Sequence, residues 1–130
     1  MSSAEQAVRA RALALLSNDE ELAGLVHGIF DGIPPRVSAP YVSVGAADGA
    51  DWGTKDRAGR EVRLTLALIG AESAADDRAA KRVEMAVAGL RGVAGDWSVV
   101  GARAVRTRFT FRREGGWRHE IVVRCRCLEG

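Results

Sequence analysis

Between Glu61 and Ile69 the chain alternates without interruption. Val62, Leu64, Leu66 and Leu68 fall on one side, and Glu61, Arg63, Thr65 and Ala67 on the other. A period of two with one apolar side predicts a half-buried strand. Such a strand cannot stand alone, because its backbone needs neighbours and its apolar face needs a cover.

Candidate neighbours are easy to find. Tyr41–Val44 reads as a short strand after Pro40. Trp97–Arg112 reads as a long strand region, irregular near Gly101, with Val105, Phe109 and Phe111 on one face and Arg106, Arg108 and Arg112 on the other. Glu114-Gly115-Gly116 is a tight-turn signal, and Trp117–Leu128 returns with Ile121, Val123, Cys125 and Cys127 in phase. The cover is helical. Ser3–Leu16 starts on a capping-box pattern, Ser3 with Gln6, and carries an Ala/Leu-rich stripe. Asn18 with Glu21 suggests a second short helix to about Leu25. Ser73–Leu90 reads as a long helix with Asp76 and Asp77 in its first turn and Val83, Ala86, Val87 and Leu90 on one face. The expected fold is α+β: two main helices packed on one face of a mostly antiparallel sheet of about four strands, in one domain spanning residues 1–130.

Gly45–Arg60 fits neither pattern. It carries four glycines, three aspartates and Lys55, Arg57 and Arg60, and reads as a long polar loop at 45–60. Loops longer than about 12–15 residues are usually functional or disordered. Trp52 stands out within it: it either folds back over its own core or waits for a partner.

Chemistry-bearing motifs are missing. The sequence has no phosphate-binding glycine loop, no Gly-x-Ser-x-Gly and no His-Glu-x-x-His. His27 and His119 are the only histidines. Joined to Asp31 or Asp51 they could serve a small hydrolase, but edge-strand and turn positions explain them better. Cys125 and Cys127 are two apart, on one side of a strand, which suits core thiols and not a four-ligand zinc site. A net charge of +2 argues against wholesale binding to nucleic acid or membrane. The row Arg103, Arg106, Arg108, Arg112, Arg113, Arg118, Arg124 and Arg126 could meet phosphates, yet no aromatic side chain interleaves with it. A solvated face, or one meeting an acidic neighbour, is the better reading. No apolar leader or membrane-length run is seen, so an intracellular protein without a membrane anchor is expected.

Several short words occur in a set order: Ala14-Leu-Leu16, Leu22-Ala-Gly-Leu-Val26, Gly28-Ile-Phe-Asp-Gly-Ile-Pro34, Pro40-Tyr-Val-Ser-Val-Gly45 and Asp51-Trp-Gly-Thr-Lys55. The alternating strand, Asp77-Arg-Ala-Ala-Lys-Arg-Val-Glu84 and the hairpin Phe109–Arg112/Trp117–Ile121 follow. From about Val8 to Leu128 this order resembles the tail-terminator (tail-completion) proteins of long-tailed bacteriophages and gene transfer agents. The resemblance implies a structural neck protein with no enzymatic activity and no cofactor or metal. It implies a hexameric ring that caps the tail tube, ends its polymerisation and joins tail to head. Its partners would be copies of itself, the major tail-tube protein and a head-closure or adaptor protein, with DNA only passing through the lumen. It would assemble in the host cytoplasm and remain in the particle. Tyr41 and the loop residues Asp51, Trp52, Thr54, Lys55, Arg57 and Arg60 are the expected assembly interface. A head-closure or connector protein of the same particle is the alternative, ahead of a hydrolase or a nucleic-acid-binding module.

Overall fold

The expected strand Glu61–Ile69 lies at the middle of the sheet in a computed structural model, which describes residues 2–34, 36–71 and 76–130. The elements run α1 (Ala4–Ser17), α2 (Glu20–Ala23), β1 (Ile29–Asp31), β2 (Tyr41–Asp51), β3 (Gly59–Gly70), α3 (Arg78–Ala86) with a 3-10 turn (Val87–Leu90), β4 (Gly92–Ala94), β5 (Trp97–Phe111) and β6 (Trp117–Glu129). The strands form one sheet in the order β1-β2-β3-β6-β5-β4. β1 is parallel to β2, and every other pair is antiparallel.

This corrects the expected α+β arrangement. Strands make up 46% of the chain against about 25% for helices, and the sheet is six-stranded and mixed. Two causes account for the difference. β1 and β4 are three residues each, too short to show a period in sequence. In addition, much of the expected 45–60 loop is strand: β2 runs on to Asp51 and β3 starts at Gly59. That half of β2 is Gly-Ala-Ala-Asp-Gly-Ala-Asp, largely exposed, so no apolar alternation marks it. It is held by pairing with β3, after a bulge between Val44 and Ala47.

The core lies between the helices and one face of the sheet. α1 contributes Ala4, Val8, Ala12 and Leu16; α3 contributes Ala80, Val83 and Ala86. β3 supplies Val62, Leu64, Leu66 and Leu68, and β6 supplies Ile121, Val123, Cys125 and Cys127; Val62 pairs with Cys125, Leu64 with Val123 and Leu66 with Ile121. Small residues on α1 let it approach the sheet closely. Gly49 extends that logic: a Cβ there would stand 2.3 Å from Glu5 Oε1.

Two arginines that the helix pattern leaves outside the stripe tie α1 down. Arg9 Nε donates to the Gly45 carbonyl (2.7 Å) and Nη2 to the Val44 carbonyl (2.8 Å), and the same guanidinium pairs with Asp31. Arg11 donates to the carbonyls of Leu90 (2.7 Å), Val93 (2.8 Å), Gly89 (3.2 Å) and Arg91 (2.8 Å). Two of these, Gly89 and Leu90, are carbonyls at the end of the 3-10 turn.

The capping box at Ser3 is present, with Gln6 N–H donating to Ser3 Oγ at 3.1 Å and Ser3 N–H to Gln6 Oε1 at 3.1 Å. The second helix is capped by Asp19 and not by Asn18. Asn18 ends α1, whereas Asp19 accepts from Leu22 N–H at 2.9 Å. The helix expected from Ser73 begins at Arg78; its expected start lies outside the described residues. Asp76 and Asp77 precede that helix.

Asp19 also receives Arg82 of α3, with Nη2–Oδ2 at 2.7 Å, and exposes only 9% of its side chain. The hydrogen bond from Arg82, then the one from Leu22, holds its carboxyl below the usual carboxylate range. The sign follows. A folded pKa below the unfolded value of about 3.9 stabilises above that value, and the benefit disappears as pH falls through the folded pKa. Asp19→Asn keeps the cap and removes the charge. Its stability deficit in urea should be full at pH 7 and shrink below about pH 4. A pH-independent deficit would rule out the charge as the cause.

Candidate assembly surface

The expected interface residues do not form one patch. Tyr41 opens β2 on the face opposite the core, edge-on to Phe30 at 6.0 Å between centroids. Asp51 closes the same strand, roughly 30 Å away at about 3.3 Å per residue. The segment between the strands is only residues 52–58. It is a tied turn: Trp52 N–H donates to Gly59 C=O at 3.0 Å, Thr54 N–H to Arg57 C=O at 2.9 Å, and Arg57 N–H to Thr54 Oγ1 at 3.2 Å. Gly53 N–H donates to Asp51 Oδ1 at 3.3 Å. Arg57 reaches across to the Glu129 carbonyl at 2.8 Å. Lys55 is exposed at the tip. Arg60 turns to the helix side, 3.5 Å from Glu5.

Trp52 does not fold back over the core. Its ring lies over Arg126, with Cζ 5.4 Å from the centroid, on the face of the sheet away from the core. A guanidinium over an indole is favourable by about 0.5–1 kcal/mol at such sites. Arg126 Nε is buried without a hydrogen-bond partner among the described residues.

That second face of the sheet carries no helix among the described residues. By register, Arg63 lies beside Arg124 and Arg124 beside Arg103, with Arg126, Arg106 and Arg108 on the same side. Arg118 pairs with Glu120 at 3.1 Å and Arg124 with Glu61 at 3.6 Å. Arg63, Arg103, Arg106 and Arg108 are exposed, with no carboxylate in ion-pair range among the described residues. The face is therefore basic towards its β5 edge.

The β5–β6 tip offers a third surface. Phe109 is 38% exposed and Phe111 66%, although both lie on the core side of the sheet. Phe109 contacts Phe111, Trp117 and His119 at 5.2, 5.7 and 5.9 Å. The expected parity of Phe109 and Phe111 is right, but the helix layer ends before it reaches them. Val105 falls in a bulge between Ala104 and Arg106.

Cys125 and Cys127 are fully buried, and burial pushes their thiols up to about 12 and about 11. Thiols held that high are poor nucleophiles. His27 Nδ1 donates to the Ser38 carbonyl at 2.8 Å, and His119 packs against Phe109. Among the described residues no group of three His, Cys, Asp or Glu could hold a metal. A pocket of about 90 Å³ lies beside Trp117, Pro40 and Leu25, and wider, shallower clefts reach about 640 Å³ beside Ser2, Arg11 and Val93.

The described residues thus form a sheet with one helix-covered face, one basic face and an aromatic tip. The family model described as "Tail completion protein gp17" matches residues 10–129, so the chain belongs to that family and its role is structural, at the tail neck. No curated protein compared with it matches significantly. Among solved structures, a chain from "Virion of native gene transfer agent (GTA) particle" is similar, with 29% identity and a TM-score of 0.88. The likeness covers 99% of this chain and 100% of that one.

Proposed function

We propose that this protein closes into a ring of six copies on the head-proximal end of the tail tube. There it covers the growing end, stops polymerisation, and presents a new surface to the head-closure or adaptor protein. It works by occlusion and fit, without turnover, cofactor or membrane. It assembles in the host cytoplasm and stays in the finished particle, where DNA passes through its lumen.

One observation carries the reading: the likeness to a chain from a gene transfer agent virion is end to end. This supports a protein that is part of such a particle. The buried, raised thiols and the structural roles of His27 and Asp19 agree with a subunit that catalyses nothing. Heterologous contacts that close on themselves give rings. Imaging the neck of intact particles tests the reading. The expected result is a six-fold collar of this chain between tube and head. A single copy there, or the chain found elsewhere in the particle, would refute it.

A further inference from the structure

The sheet has two long edges that are only partly covered. β1 pairs with β2 only at Val42–Val44, and β4 pairs with β5 only at Trp97–Val99. Beyond them, β2 from Gly45 to Asp51 and β5 from Val100 to Phe111 have a strand on one side only, among the described residues. Arg9 takes the Gly45 carbonyl. Along the rest of each edge, every second residue turns its N–H and C=O outward, a template for another strand.

Three features match these edges to each other. The first is direction. β2, β3, β6 and β5 alternate in sense, so β2 and β5 run oppositely. A copy rotated beside another lays its β5 antiparallel to the neighbour's β2. The second is level. Across the sheet Asp48 stands opposite Arg63, Arg63 opposite Arg124, and Arg124 opposite Arg103. β1 and β4 cover opposite ends, so Gly45–Ala50 and Gly101–Arg106 are open at the same height. The third is charge. The β2 edge holds Asp48 and Asp51 among Gly and Ala; the β5 edge holds Arg103, Arg106 and Arg108. Opposite charges across a strand pair favour it, and like charges oppose β5–β5 or β2–β2 pairing.

We propose that the occupant of the β5 edge is the β2 edge of a second copy of this chain, with Asp48 facing Arg103, so that the sheet continues from subunit to subunit. The inference rests on the ring reading above and specifies its contact. The pairing is head-to-tail, which closes or propagates but does not stop at a dimer. Bulges on both edges, at Val44/Ala47 and Ala104/Arg106, add the twist found at barrel rims.

Asp48→Cys combined with Arg103→Cys tests it in assembled particles. Within one copy these positions are three strand spacings apart, about 14 Å at about 4.8 Å each. A disulfide cannot span that distance, so any bond joins two copies. The buried native thiols stay silent. After oxidation, denaturing gels without reductant should show a ladder of linked chains, absent from either single variant. Particles whose necks show the ring but give no ladder would overturn the edge contact and leave the ring standing. Linked dimers from Asp48→Cys alone would overturn it in favour of β2–β2 pairing. Necks without any ring in the unmodified particle would remove the ring reading and this contact with it. Should the cysteine pair itself block assembly, an exchange of charges decides. Asp48→Arg and Arg103→Asp should each lose the ring, and the two together should restore it. Failure of the exchange to restore it would also overturn the contact.

Discussion

Gly70→Ala should destabilise the protein by about 3 kcal/mol, the upper end of what overpacking costs. Gly70 ends β3 directly opposite Trp117. A Cβ there would lie 2.1 Å from Trp117 Cε2, 2.3 Å from Cζ2 and 2.5 Å from Nε1. The indole is 4% exposed and Phe109 sits 5.7 Å away, so it can retreat only towards the pocket of about 90 Å³ that Gly70 and Trp117 line. Gly116, at φ +80°, presses from the same side, since its own Cβ would be 2.0 Å from the Gly70 carbonyl oxygen. Urea unfolding should give a lower midpoint with an unchanged slope. A loss below about 1 kcal/mol would mean that the β5–β6 turn moves aside freely, and that the Trp117 packing is not a constraint.

Leu66→Ala should cost about 2–5 kcal/mol. Leu66 is 1% exposed, with Val44 on one side and Ile121 on the other in the sheet register. Truncation leaves a void where strands on both flanks are pinned by their ladders, so the site collapses poorly. Phe111→Ser is the natural contrast. Phe111 is 66% exposed, and its loss should change stability by no more than about 0.5 kcal/mol. Equal losses for the two variants would contradict the assignment of the core to the face under the helices.

What could be read in advance depended on burial. Val62–Leu68 and Ile121–Cys127 are legible because one face of each strand is packed and the other is not. The far half of β2 was hidden for the converse reason. Exposed on nearly every residue and made of Gly, Ala and Asp, it keeps its strand form through hydrogen bonds to β3, which leave no trace in composition. Asp19 is not distinguishable as the cap in sequence, because Asn18, one residue earlier, has the same capping chemistry. The expected interface was only partly a unit. Residues 51–57 cluster at the β2–β3 turn, but Tyr41 is at the other end of the strand and Arg60 turns inward to Glu5. The edges of β2 and β5 could not be foreseen, because an uncovered edge is a property of strand order.

Tail length in particles lacking this protein tests the central claim most directly. If the chain ends the tube by covering it, its removal should leave tubes that run past their normal length and heads without tails attached. Tails of normal length joined to heads in its absence would contradict the account.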